Sequence, residues 1–224
     1  MKTLIKHLLL TALTLYICSA NAQTINWASL KEENKHIVNI NAGMEHGVVF
    51  GLGYGYKFKT KLFPIVANLE YSFPSGNKIV DDFKTKIGVQ VRWIEFHNFQ
   101  FSTKIHCVFR RYENNFVRLV NFGSDFSGAV GYYRPKWFVA GEVGFDKAII
   151  THFKHSEMYK GQYSGVLDGW YEPATGGNFY YGMQAGFSFK RHDIYLRAGK
   201  ILTQDFKTAP TIPFYGQLGY NLKI

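Results

Sequence analysis

Apolar and polar residues alternate with a period of two along most of this chain. In the clearest run, Phe83, Thr85, Ile87, Val89, Val91 and Trp93 interleave with Lys84, Lys86, Gly88, Gln90 and Arg92. A period of two places neighbouring side chains on opposite faces of a β-strand, so the run predicts a strand with one apolar and one polar face. The same pattern recurs in segment after segment to the C terminus and predicts an all-β chain.

The alternating runs predict an antiparallel up-and-down transmembrane β-barrel of about ten strands. An even number of strands returns the chain to the side from which it entered. The even-numbered alternation also continues from Val38 through Ala42 and Met44 to Phe58. The first hairpin could therefore instead be one long strand, and eight strands is the alternative. The ten predicted strands are 36–42, 47–58, 63–73, 83–96, 99–112, 120–132, 137–149, 179–189, 194–202 and 212–224.

The first residues have the pattern of a secretion signal. Lys2 and Lys6 precede an apolar stretch at 8–17, and Ala20-Asn21-Ala22 forms an A-x-A cleavage site before Gln23. That stretch is too short to cross a bilayer as a helix. We therefore predict a signal peptide at 1–22, a periplasmic N-terminal segment at 23–35 that is briefly helical, and the barrel at 36–224. Cleavage leaves one cysteine, so no intramolecular disulfide is expected.

The predicted connections alternate in length. Short links at 59–62, 97–98, 133–136 and 190–193 lie between longer ones at 74–82, 113–119, 150–178 and 203–211. Short turns on one rim and long loops on the other are typical of outer-membrane barrels and predict that both termini are periplasmic. Eight aromatic residues lie beside the short turns on the apolar phase, where an interfacial belt is expected: Tyr56, Phe58, Phe63, Trp93, Phe99, Tyr132, Trp137 and Phe189.

A soluble sandwich or lipocalin-like barrel would also alternate, with its apolar face buried in a core. The glycines and clustered charges on the polar phase favour the membrane barrel. Residues 35–224 thus resemble the small bacterial outer-membrane up-and-down barrels, which include outer-membrane protein A-like domains, W-type narrow channels and lipid A-modifying enzymes. The resemblance lies in architecture and in no family-specific motif, and the chain ends on Ile224 where such barrels usually carry an aromatic residue. It implies outer-membrane lipids and the barrel-assembly machinery as partners.

Charged residues cluster on the inward phase, with cations on the fourth and fifth predicted strands and acids on the sixth and seventh. We predict either an ionic network that fills a narrow lumen or a lining that selects small anions or zwitterions. The formal net charge is +10, and removal of Lys2 and Lys6 leaves +8. Because many cations occupy inward positions, no binding of nucleic acid is expected. The inward charges are Glu70, Lys84, Lys86, Arg92, Lys104, His106, Arg110, Asp125, Glu142, Asp146 and Arg197.

The longest link, 151–177, mixes Tyr159, Tyr163, Trp170 and Tyr171 with glycines and histidines. This composition predicts an external recognition loop for an extracellular ligand, and an insertion folded over the barrel mouth is the alternative.

The same link opens with His152, His155, Ser156 and Glu157. A local string does not establish the convergent geometry of a catalytic site or the spacing of a metal site, so no catalytic residue, metal ligand or cofactor is predicted. The sequence thus predicts an outer-membrane barrel with a structural, surface-binding or narrow-conduit role, and a lipid A acyl hydrolase is the alternative.

Overall fold

The computed structural model describes residues 23–44, 48–60, 62–75, 82–173, 176–206, 210 and 212–224. The described chain is dominated by β-strands. One short helix, α1 (Glu157–Gln162), and one short strand, β8, lie in the longest link. The strands are β1 (His36–Met44), β2 (Val48–Phe58), β3 (Ile65–Pro74), β4 (Phe83–Phe96), β5 (Phe99–Glu113), β6 (Val117–Tyr133), β7 (Trp137–His155), β8 (Gly169–Tyr171), β9 (Gly177–Phe189), β10 (His192–Thr203) and β11 (Phe214–Lys223).

Ten of these strands close into an antiparallel barrel. Each strand pairs with its neighbours in the chain, β7 pairs with β9, and β1 pairs with β11. The closing ladder runs from Ile37 opposite Lys223 to Met44 opposite Gly216. Closure satisfies the backbone hydrogen bonds of every barrel strand, which is the condition for crossing a membrane with strands. The predicted fold and the count of ten are confirmed.

The alternative of eight strands is wrong. The continuous alternation from Val38 to Phe58 belongs to two strands, and Met44 on β1 lies opposite Val48 on β2. The side-chain phase is preserved across the hairpin, which is why alternation alone could not separate one strand from two.

The strands β5, β6 and β7 extend further than the sequence predicted. Only Asn114–Phe116 separate β5 from β6, whereas a longer link was predicted at 113–119. The Asn114 side chain accepts the backbone N–H groups of Phe116 and Val117, at 2.9 Å each, and so fixes a tight turn. The predicted alternation in link length therefore does not hold at this hairpin.

The outer face of the barrel is apolar and exposed. Ile87 is 60% exposed, Val143 51% and Leu196 57%, although each lies in the middle of its strand. The aromatic residues predicted at the short turns form linked groups on this face: Phe63 contacts Trp93, and Tyr132 contacts both Phe99 and Trp137. Such a band with an aromatic edge is typical of a surface that faces lipid.

The barrel has two distinct ends. The terminal rim carries Lys35, Ile224 and the turns that join β4 to β5, β6 to β7 and β9 to β10. The first of these turns places His97 and Asn98 at positive φ angles of 47° and 72°, as the hairpin turn requires. The loop rim carries the link between β7 and β9. Within the described residues, no helix is long and apolar enough to cross a membrane. Cys107 is a free thiol exposed on the outer face.

Inward glycines make room for tyrosine rings. A Cβ atom at Gly219 would collide with the ring of Tyr195, and one at Gly199 with the ring of Tyr215. Tyr195 is 1% exposed and Tyr215 4% exposed. At these positions the missing side chain of glycine leaves room for a buried aromatic ring, and the glycines do not mark open space in the lumen.

Candidate functional site

The lumen contains most of the charges that the sequence assigned to it. Eight of the eleven predicted residues are nearly inaccessible to solvent. Because a buried charge is costly unless it is paired, the partners of these residues decide what the lumen can do. The eight are Glu70, Lys86, Lys104, His106, Asp125, Glu142, Asp146 and Arg197.

Glu142 on β7 and Arg197 on β10 form the central ion pair. The Arg197 Nε atom donates to Glu142 Oε1 at 2.9 Å, and its Nη2 atom donates to Oε2 at 2.7 Å. The Tyr215 hydroxyl donates to Glu142 Oε1 at 2.7 Å, and Arg197 Nη1 donates to the side chain of Gln217 at 3.2 Å. A two-pronged pair of this kind is strong and has a fixed geometry. It ties three strands together across the lumen.

Two further pairs join β4 and β5 to the strands that carry acids. Lys86 on β4 pairs with Asp125 on β6, and Asp125 also accepts the Tyr180 hydroxyl at 2.8 Å. Arg110 on β5 pairs with Asp146 on β7. The sequence placed cations on the fourth and fifth strands and acids on the sixth and seventh, and the structure brings these two sets together as pairs.

Three predicted residues lie outside this buried set. Arg92 is near the terminal rim and pairs with Glu95 at 2.8 Å. Lys84 and Arg110 are only partly buried, close to the loop rim. The structure therefore places Arg92 outside the ion pairs at the centre of the lumen.

The N-terminal segment lies inside the barrel. Residues Gln23, Thr24 and Asn26 are at most 1% exposed, whereas the sequence predicted a separate periplasmic segment at 23–35. The Asn26 side chain donates to Ser188 Oγ at 2.8 Å and to the carbonyl of Arg134 at 2.9 Å. Residues Trp27–Ser29 form a single 3-10 turn within the stretch predicted to be helical. The chain then returns to the rim, where Lys35 N–H donates to the Ile224 carbonyl at 2.8 Å.

This segment seals the terminal-rim end with apolar side chains. Ile25 and Trp27 pack into one buried cluster with inward-facing strand residues, and Ala28 and Leu30 pack against it. The Tyr133 and Phe138 rings are stacked in parallel with centroids 5.3 Å apart. An apolar cluster of this kind excludes water and ions. Its strand residues are Ile37, Val66, Tyr133, Phe138, Ala140 and Tyr195.

Gln23 lies deepest and joins two charges that have no ion pair of their own among the described residues. Its backbone N donates to Glu70 Oε1 at 2.7 Å, and its carbonyl accepts Lys104 Nζ at 2.9 Å. The Gln90 side chain donates to the same carbonyl at 3.0 Å, and Asn68 donates to the Gln23 side-chain oxygen at 2.8 Å. Four lumen residues thus form hydrogen bonds with Gln23.

Sequence reasoning missed this arrangement, although one signal was present. The inward phase is polar along most strands but apolar at Ile37, Val66 and Phe138, all near the terminal rim. Apolar residues inside a barrel need an apolar occupant, and the predicted periplasmic segment contains Ile25 and Trp27.

The long link extends the barrel wall. Strand β8 pairs with the end of β7, with Thr151 opposite Tyr171 and Phe153 opposite Gly169. Trp170 contacts the rings of His152 and Phe122, and remains 54% exposed. Tyr163 and Tyr171 are also exposed, whereas Tyr159 stacks on His155. The link therefore presents aromatic side chains along the wall.

Asp168 anchors this link. One of its oxygens accepts the His155 backbone N–H at 2.8 Å, and the other pairs with Lys160 Nζ at 2.7 Å. These contacts, chiefly the His155 N–H, hold the pKa of the Asp168 carboxyl well below its usual value. The same hydrogen bond to Asp168 raises the pKa of Lys160.

The other polar residues of the link have structural contacts. Ser156 caps α1, because its Oγ accepts the Tyr159 N–H at 3.3 Å. His155 Nδ1 lies 3.1 Å from Asp168, and Glu157 lies 3.4 Å from Lys160. In the part of the chain that the structure describes, no group of three or more His, Cys, Asp or Glu residues is placed to hold a metal ion.

A cavity of about 320 Å³ opens at the loop rim. Three cations, Lys84, Arg110 and Arg111, line it together with Asp82 and Tyr112. Arg110 and Arg111 each pair with an acid, Asp146 and Glu113. The cations of this cavity thus lie among three acids, Asp82, Glu113 and Asp146.

No family model matches this chain, and no curated protein matches it in sequence. Solved structures with a similar fold include a KdgM porin, with 8% identity, a TM-score of 0.43, and coverage of 84% of this chain and 99% of that chain. A chain from a study of the in-meso crystallisation of membrane proteins has 6% identity, a TM-score of 0.36, and coverage of 85% and 83%. Pseudomonas aeruginosa OprD has 10% identity, a TM-score of 0.17, and coverage of 87% and 65%. The barrel fold rests on the strand pairing described above, and these likenesses carry no argument about function.

Proposed function

We propose that this protein is an integral outer-membrane β-barrel whose lumen is closed at rest by its own N-terminal segment, and that it acts by binding at its loop rim. The apolar, exposed outer face supports the membrane location, because such a surface is stable only against lipid. The predicted N-terminal signal supports a periplasmic position for the terminal rim, and so do the short turns that join β4 to β5, β6 to β7 and β9 to β10. Insertion would require the barrel-assembly machinery and surrounding outer-membrane lipids.

The single observation that carries the closed state is the buried segment from Gln23 to Trp27. It contributes hydrogen bonds to the lumen charges and an apolar seal to the terminal-rim end. An ion that crossed would have to displace Ile25 and Trp27 and separate the Arg197–Glu142 pair. The cost of stripping water from an ion in such a space closes the conduit.

Binding at the loop rim is supported by the exposed side chains of Trp170, Tyr163 and Tyr171. Exposed aromatic side chains suit adaptable contact with a partner, because their rings supply a large and rigid contact area. The ligand that we propose is therefore an extracellular partner, such as a surface glycan.

Conductance in planar bilayers tests the closed state. Wild-type protein is expected to insert without discrete current steps. Ile25→Glu places a charge in the apolar seal and is expected to expel the segment and produce steps. Lys31→Glu is the matched control, because Lys31 lies on the same segment but is 73% exposed. Steady conductance of the wild type would overturn the proposal, and silence of a folded Ile25→Glu barrel would show that the segment is not what closes it.

A further inference from the structure

Among the described acids of the lumen, Glu70 is the one that forms no ion pair with a lysine or arginine side chain. Asp125, Glu142, Asp146 and Asp193 each pair with a lysine or arginine within the described residues. Glu70 is 7% exposed and differs, because its hydrogen-bond donor is the backbone nitrogen of Gln23 at 2.7 Å. A buried carboxylate is stable when a positive group faces it.

Gln23 is also the residue that the A-x-A pattern places first in the mature chain. Hydrolysis of the Ala22–Gln23 peptide bond by a signal peptidase consumes one water, leaves a carboxylate on Ala22, and converts the amide nitrogen of Gln23 into an α-amine. That amine takes up a proton and becomes an ammonium with three donors and a full charge. In place of one neutral N–H, Glu70 would then face a cation.

We propose that the α-ammonium group of processed Gln23 is the counter-ion of Glu70, so that the mature N terminus is itself a buried member of the lumen network. This inference rests on the proposed closed barrel and names the contact that anchors its N-terminal segment. Processing before Gln23 thus creates the charge that holds the segment in the lumen.

The position of the Gln23 side chain has a chemical consequence. An N-terminal glutamine cyclises when its amine attacks its own side-chain carbonyl carbon, which releases ammonia and removes the positive charge. Here the amine is held by Glu70, and the side-chain oxygen accepts Asn68 Nδ2 at 2.8 Å. These two contacts hold the reacting groups in place, so the mature protein is expected to keep an open, charged N terminus.

Amine labelling of the membrane-extracted protein tests the inference. Acetylation with a water-soluble ester, followed by peptide mapping, is done on the folded protein and again after denaturation. We expect the N-terminal peptide to begin at Gln23, to be uncyclised, to be unlabelled when folded and to be labelled when unfolded. Lys31 is the internal control, because it is exposed and is labelled in both states. A different first residue, a cyclised one, or labelling of the folded amine as fast as Lys31 would overturn the inference.

The variant Glu70→Gln supplies the second readout. It is expected to raise native labelling of the Gln23 amine at least tenfold, whereas Glu95→Gln, at the terminal rim and 47% exposed, is expected to leave it unchanged. If Glu70→Gln does not fold, amine labelling of the folded wild-type protein still tests the inference. A labelled amine in a barrel that stays electrically silent would refute this contact and leave the closed-barrel proposal standing. Open conductance would refute both.

Discussion

Removing the charge of Glu142 tests the lumen network most sharply. Glu142→Gln keeps the shape of the side chain but removes the carboxylate that pairs with the charged Arg197 side chain. The two side chains are 2% and 1% exposed, so solvent cannot replace the lost partner. Breaking a buried pair costs about 3 to 5 kcal/mol. Because the amide oxygen of the substituted side chain can still accept a hydrogen bond from Arg197, we expect a loss at the lower end of this range, about 3 kcal/mol.

The matched control is Glu113→Gln. Glu113 also pairs with an arginine, Arg111, but the two side chains are 36% and 24% exposed at the loop rim. Such pairs contribute about 0 to 1 kcal/mol. Both variants and the wild type are unfolded in urea from detergent or lipid, and tryptophan fluorescence reports the free energy of unfolding. Equal losses for the two variants would refute the claim that the lumen holds a dry ionic network.

Four further results are expected. Val143→Arg, on the outer face near mid-strand, is expected to destabilise the barrel in lipid by about 2 to 4 kcal/mol, and no loss relative to Lys154→Arg near the loop rim would contradict a lipid-facing position. Lys104→Glu is expected to lower the free energy of unfolding, because it places a second acid beside Glu70 and the Gln23 carbonyl. An unchanged free energy of unfolding, together with a shift of ion selectivity toward cations, would instead indicate an open pore. Deletion of residues 160–173 is expected to preserve the folded barrel, because among the described strands β8 pairs with the end of β7 alone. The deletion is expected to weaken binding of surface glycans or cells, and unchanged binding would contradict the recognition role. The His155 N–H and Lys160 lower the pKa of Asp168. The anchoring of the link is therefore expected to be complete above about pH 4, the ordinary pKa of a carboxyl group, and to be lost as the pH falls through the lower pKa of the folded state. The fluorescence of Trp170, measured as the difference from Trp170→Phe, reports the anchoring, and Asp168→Asn is expected to lose the anchoring at all pH values.

Alternation was sufficient to predict the strands, because a closed sheet with lipid outside and polar groups inside repeats one rule on every strand. The run from Phe83 to Phe96 has the same bounds in the structure as in the prediction. Strand ends were less predictable where a side chain fixes the turn. Asn114 shortens a link to three residues through hydrogen bonds that its sequence neighbours do not reveal.

The inward charges could be predicted, but their partners could not. Lys86 and Asp125 are 39 residues apart, and they meet because β4 and β6 flank β5 in a closed barrel. The burial of the N-terminal segment inside the barrel could not be predicted from local pattern alone, because Gln23 to Asn26 has no alternation of its own. Its partners Glu70, Lys104 and Gln184 are brought together only by closure of the barrel.

Cross-linking of the N-terminal segment to the inner wall tests the central claim most directly. In a Cys107→Ala background, Asn26→Cys and Ser188→Cys replace two side chains whose polar atoms lie 2.8 Å apart inside the barrel. Mild oxidation of native membranes is expected to join them in a barrel that still migrates as folded, whereas Glu33→Cys with Ser188→Cys, with Glu33 69% exposed, is expected not to react. Absence of the first cross-link, or equal reaction of both pairs, would contradict a segment lodged in the lumen.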